Sequence, residues 1–217
     1  MTTSNYVPRV HDVLLLNSGR VVPAGCSEPE WARAALKQCP WVVVRREHAD
    51  EGSIAVGVRG VRREQRWAGL VDLTDVRQAI APGLLRSCTA YPMRLTLPAI
   101  EALCYVESKL AGWSAEWGPV GSTGYELASG LYVTSEDSDL DLVIYAPEPM
   151  ERGMAQDLFN VLKLARAKVD VRIETPCGGF SLEEYVRERT GSILLRTASG
   201  RVLVQDPWAT LPGAELR

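Results

Sequence analysis

Two aspartates separated by one residue stand in the run Ser138-Asp139-Leu140-Asp141-Leu142-Val143-Ile144-Tyr145. Their alternation with Leu140 and Leu142 is that of a strand with one polar and one apolar face. Both carboxylates then share a face, about 7 Å apart along the chain. Two carboxylates held together repel, so a divalent cation between them is the natural partner. A strand with one wet face gives the same alternation. The apolar run through Val143 and Ile144 favours a buried strand that carries its acids at its start. A second strand, Val169-Asp170-Val171-Arg172-Ile173-Glu174, alternates in the same way. It either presents Asp170 as a third carboxylate beside the first two, or is a solvated face on which Arg172 makes an ion pair.

Two further groups could handle phosphate. Gly121 and Ser122 stand upstream of the acidic strand and could offer N–H and hydroxyl donors. Arg59, Arg62, Arg63 and Arg66 lie within eight positions, flanked by Gly57 and Gly60. Arginine forks suit phosphate oxygens, and the glycines allow close backbone approach. The alternative is a solvated basic turn with Glu64 as internal partner.

These residues need elements to hold them. The 217 residues are 46% hydrophobic and 24% charged, enough for one large domain or two small ones with a true core. A net charge of −3 argues against a nucleic-acid binder. Five dispersed cysteines without a C-x-x-C pair read as reduced thiols. The N-terminus lacks the basic start and apolar core of a signal peptide. No apolar run reaches the ~20 residues that span a bilayer. A soluble, cytoplasmic protein that touches no membrane is expected.

In chain order, residues 11–16 read as a short strand or helical turn, with His11 structural or capping. Ser27 opens a helix that Pro40 stops. Trp41–Arg46 is a strand. Strand character from Ile54 gives way to the arginine segment, with residues 57–66 as a phosphate-binding loop. Val76–Ile80 reads as a short helix. A boundary near residue 90 divides a β-rich N-terminal domain, 1–90, from an α/β domain, 91–217. There, Leu97–Leu110 is a helix with Pro98 in its first turn. Residues 118–133 read as a glycine-rich connection. Glu151–Lys168 is a long helix, Ser181-Leu182-Glu183-Glu184 a capping box, and residues 192–205 a hairpin.

The order helix, Gly-Ser, acidic strand resembles the nucleotidyltransferase superfamily of DNA polymerase β type. Gly118–Gly130 with Asp137-Ser138-Asp139-Leu140-Asp141-Leu142 is similar to the malonate decarboxylase holo-acyl-carrier-protein synthase family, the phosphoribosyl-dephospho-CoA transferases. Val56–Arg66, Val169–Pro176 and Asp206-Pro207-Trp208 share that resemblance. It implies an α+β fold: a small β-rich domain, then a mixed-sheet nucleotidyltransferase-like domain. It also implies transfer of a prosthetic group from 2′-(5″-triphosphoribosyl)-3′-dephospho-CoA to a serine of the apo acyl-carrier subunit of malonate decarboxylase, with loss of pyrophosphate. Asp139 and Asp141 match the family's paired aspartates and would hold Mg²⁺, with Asp170 as further ligand or base. The separation of Ser122 from Asp139 is long for the polymerase β pattern, as though a hairpin were inserted. No basic residue follows the Gly-Ser pair directly, so Arg59–Arg66 is the candidate for triphosphate binding. Two other functions stay open: a transferase with a different acceptor, and a non-catalytic carrier or nucleotide-binding module. The presence of both aspartates argues against the second.

Overall fold

The computed structural model describes residues 6–87, 94–189 and 191–209. The expected boundary near residue 90 and the tail after residue 209 lie outside the described residues. Two six-stranded sheets make up the molecule. The first contains β1 (Val13–Leu16), β2 (Val22–Pro23), β3 (Trp41–Val44), β4 (Ser53–Arg59), β5 (Arg66–Asp72) and β6 (Val76–Ile80), in the order β2-β5-β4-β3-β1-β6. All its pairings are antiparallel. Helix α1 (Glu30–Gln38) covers one face, where Ala32 and Leu36 pack among Leu14, Val42, Val56 and Val58.

The second sheet runs β12-β11-β10-β9-β8-β7, built from β7 (Glu116–Pro119), β8 (Leu140–Tyr145), β9 (Val169–Thr175), β10 (Gly178–Ser181), β11 (Ile193–Thr197) and β12 (Gly200–Val204). Only β8 and β9 are parallel. Helices α2 (Pro98–Lys109), α4 (Arg152–Leu162) and α5 (Leu182–Arg187) contribute to its apolar core, and α3 (Gly121–Ser129) joins β7 to the loop before β8. Leu140, Leu142 and Ile144 are at most 1% exposed and pack among Ile100, Leu103, Ala155 and Leu158. Burying each such side chain contributes about 1.5–3 kcal/mol. A slip of one residue would turn all three outward, so this burial fixes the face on which the acids stand.

Several elements differ from the sequence reading. Val76–Ile80 is a strand, not a helix, because it pairs with β1 as the sheet's last strand. Ser27 is not a cap: α1 starts after Pro29 without a side-chain cap bond. Helix α4 stops at Leu162 although good helix formers follow. The chain must turn to place Lys168, whose carbonyl accepts from Leu140 N–H at 2.9 Å, at the head of the parallel pair. The glycine-rich connection holds the end of β7 and the whole of α3. No hairpin is inserted before Asp139; the helix and the loop 130–139 fill that interval. Cys26, Cys39 and Cys177 are free, but Cys104 is in a disulfide, so uniformly reduced thiols are not observed. Among the described residues no helix is long and apolar enough to cross a membrane.

Candidate active site

The parallel pairing sets Asp141 directly beside Asp170, Val143 beside Arg172 and Tyr145 beside Glu174. With the leucines on the helix side, these six residues share the opposite face. Asp139, one residue before β8, is half-buried at its edge. Burial, and then the charges of Asp170 and Asp139, push the Asp141 carboxyl above its ordinary range, while Arg63 and Arg172 pull the other way. Lys168 Nζ holds the Asp170 carboxylate at 2.8 and 2.9 Å.

Helix α3 begins against Asp141. Val120 N–H donates to the Asp141 carbonyl at 2.9 Å. Gly121 takes φ +61°, and a Cβ there would stand 2.0 Å from Asp141 Oδ2. The first N–H groups of a helix have no intrahelical partner, so Gly121 and Ser122 present donors, at the positive end of the helix, beside the carboxylate. Helix propensity hides this element, since two of its first four residues are glycine.

The arginine segment is the tip of the β4–β5 hairpin, where Arg59 pairs across the ladder with Arg66. The Arg59 guanidinium lies over the Tyr125 ring of α3, 6.0 Å from its centroid. Burial, with Arg66 close by, pushes the Arg59 pKa down to about 10, while Tyr125 and Asp141 oppose this. Burial and Arg63 lower Arg66 in the same way, and Tyr125 and Asp141 again oppose. Arg62 and Arg63 are exposed, and the charge of Arg63, like that of Arg172, acts on Asp141. The hairpin of the first sheet thus faces the acids of the second.

Several residues that position this site carry no local sequence signal. Glu174 lies under the N-terminal sheet at 6% exposure, with His11 Nε2 at 2.8 Å from Oε1 and Arg46 on Oε2. His11 adopts φ +77°, the only described non-glycine residue with positive φ. Burial first, and then Arg46 and Arg172, lower its pKa to about 4. It shares a cavity of about 450 Å³ with Gly121, Asp141, Asp170, Arg172 and Arg196. His11 is therefore at the site, although nothing near it in sequence suggests so. Tyr145 Oη donates to the Val10 carbonyl at 2.9 Å and Arg9 pairs with Glu116, closing the contact between the sheets. A larger cavity of about 880 Å³ opens past the other end of β8 and contains none of the three aspartates.

Glu126 of α3 is 1% exposed. It accepts Arg94 Nε at 2.9 Å and the N–H groups of Val133 and Thr134 at 2.8 and 2.7 Å, tying down the loop that delivers Asp139. Burial acts to raise its pKa, but the bonds from Arg94, Thr134 and Val133 prevail and lower it below the ordinary 4.5. A carboxyl depressed on folding stabilises the protein above its unfolded pKa, and that stability is lost as pH falls through the folded value. Glu126→Gln is expected to cost about 3 kcal/mol at pH 7 and to flatten the acid limb of the stability curve below pH 4.5. Denaturant titrations across that range check both, and an unchanged acid limb would remove Glu126 as its source.

Asp139 and Asp141 are oxygen donors of the kind that Mg²⁺ takes, and that ion keeps several waters and substrate phosphates rather than a full protein cage. Two carboxylates beside the N-terminus of a helix fit it in chemistry. As they stand, no three acid, imidazole or thiol side chains among the described residues converge on one point; Asp170 is turned to Lys168.

Fold and site together define an α+β protein of two sheets in which a carboxylate set on a parallel strand pair faces a basic hairpin. The chain matches the family model described as phosphoribosyl-dephospho-CoA transferase MdcG N-terminal domain over residues 9–82, and the corresponding C-terminal domain over residues 84–207. It is 39% identical to the phosphoribosyl-dephospho-CoA transferase of Pseudomonas putida (strain GB-1), covering 93% of this chain and 96% of that one. Proteins of the same name from Klebsiella pneumoniae (strain 342), at 36% identity, and Azotobacter vinelandii (strain DJ), at 37%, cover 93% and 96% of this chain and 96% and 98% of their own lengths. The chain belongs to the phosphoribosyl-dephospho-CoA transferase family. No solved structure matches it.

Proposed function

We propose that this protein is a phosphoribosyl-dephospho-CoA transferase. It moves that group from 2′-(5″-triphosphoribosyl)-3′-dephospho-CoA to a serine of the apo acyl-carrier subunit of malonate decarboxylase. The family match across both halves of the chain carries this reading. The serine oxygen bonds to the α-phosphorus, the bond from that phosphorus to the bridging oxygen breaks, and pyrophosphate leaves with the electron pair. Asp139 and Asp141 would hold Mg²⁺, which when bound supplies charge neutralisation to the phosphate oxygens. The α3 N-terminus and the β4–β5 hairpin grip the triphosphate. Asp170, at the cavity beside Asp141, takes the serine proton.

Incubation with the triphosphoribosyl donor, Mg²⁺ and the apo carrier, followed by intact-protein mass measurement, tests the reading. The carrier should gain one phosphoribosyl-dephospho-CoA group. No mass gain would sink the acceptor assignment. Arg59→Ala or Arg66→Ala should weaken donor binding by about 1.5–3 kcal/mol, the usual worth of a charge-assisted contact, and leave carrier binding unchanged. Equal donor affinity in both variants would return the hairpin to a solvated turn.

A further inference from the structure

The polar face of the second sheet carries a second cationic group, away from the hairpin. Arg172 follows Asp170 by two positions on β9, about 7 Å along the strand. Arg196 stands on β11, paired across β10 with Gly179, which in turn pairs with Glu174. Both arginines line the cavity that holds Asp141 and Asp170. Arg172 is partly buried, and burial and the nearby Arg196 both lower its pKa. Among the described residues neither guanidinium makes an ion pair or a side-chain hydrogen bond.

Three of the acids near Arg172 have partners of their own. Asp170 is held by Lys168. Glu184 Oε1 accepts Leu194 N–H at 2.8 Å. Glu174 is shared by His11 and Arg46. Asp141 packs against Gly121 and, with Glu184 and Asp170, opposes the lowering of the Arg172 pKa without bonding to it. Two neighbouring guanidiniums, one of them partly buried, are costly without a counter-ion. Forks placed side by side suit the oxygens of linked phosphates.

The sheet order places this pair opposite the hairpin. Helix α3 and Arg59–Arg66 lie on the β7–β8 side of Asp141, and Arg172 and Arg196 lie on the β9–β11 side. We propose that Arg172 and Arg196 form a second anion subsite that takes a diphosphate group, on the flank of the carboxylates opposite the hairpin. This rests on the transferase reading for the ligand's identity, though not for the existence of the subsite. The proposed donor bears two phosphate chains, its triphosphate and the diphosphate of its dephospho-CoA portion. A site with a basic group on each flank of the acids matches such a molecule.

Calorimetric titration of the full chain with Mg²⁺-pyrophosphate and, separately, with dephospho-CoA tests the subsite without any turnover. Arg172→Gln and Arg196→Gln should each weaken one of these two ligands by about tenfold or more. Weakened pyrophosphate assigns the subsite to the triphosphate chain; weakened dephospho-CoA assigns it to the other. Arg196 is exposed, so Arg196→Gln keeps the test open if Arg172→Gln fails to fold. Arg172→Lys, which keeps the charge and loses the fork, should recover part of the affinity. Wild-type affinity for both ligands in both glutamine variants would overturn the proposal. Loss of binding in a protein that fails to modify the carrier would leave the subsite standing and reject only the acceptor.

Discussion

Asp139→Asn and Asp141→Asn are each expected to cut carrier modification by about 10³-fold or more, while the metal-free protein stays folded. Each change keeps the side-chain shape and removes the charge that would hold a cation. The Asp141 effect on stability has a defined sign. Its carboxyl is raised in the folded state by burial and by Asp170 and Asp139. A group raised on folding contributes stability that is present below its unfolded pKa and lost as pH rises through the folded one. At pH 7 the charged Asp141 is therefore a cost, and Asp141→Asn should melt higher than the parent without metal. Added Mg²⁺ should raise the parent's melting temperature and do little for the variant, since only a protein that binds the ion gains from it. Thermal melts with and without Mg²⁺, beside the mass assay, separate the two effects. Full transfer by either variant at ordinary Mg²⁺ would remove both aspartates from the site.

The part of this site that alternates was readable; the part that crosses the molecule was not. Asp139, Asp141 and Asp170 show in the sequence because a period of two declares which side chains share a face. The parallel strands then bring Asp141 and Asp170 level, as that alternation allowed. The arginine cluster was visible by composition, yet its position opposite α3 comes from packing between sheets. Helix α3 is hidden in the sequence because Gly121 and Gly124 depress local propensity, and contacts with β8 and with the short helical turn Pro82–Leu85 outweigh it. Gly124 is required there, since a Cβ would meet the Pro119 carbonyl at 2.4 Å. Glu174, four positions beyond Asp170 on β9, is covered by His11 and Arg46, residues 163 and 128 positions away in the chain. No window of sequence contains both partners of such a contact.

Gly121→Ala should lower turnover by about 10²-fold while costing only about 1–2 kcal/mol of stability. The added Cβ would stand 2.0 Å from Asp141 Oδ2, 2.8 Å from its Cγ and 2.9 Å from its Cβ. Contacts that short are not tolerated, and the aspartate is short, so the whole carboxylate must move. A displacement of about 1 Å at a reacting centre is enough for a loss of this size. The residue also sits at φ +61°, which strains alanine wherever it occurs. Gly130 separates the two causes. It ends the same helix at φ +74°, and a Cβ there meets nothing within 4 Å. Gly130→Ala therefore carries the backbone strain without the clash, and should lose similar stability while keeping its turnover. Side-by-side melts and single-turnover assays of the two variants give the comparison. If Gly121→Ala transfers as fast as Gly130→Ala, the approach of Gly121 to Asp141 is not what sets the carboxylate in place.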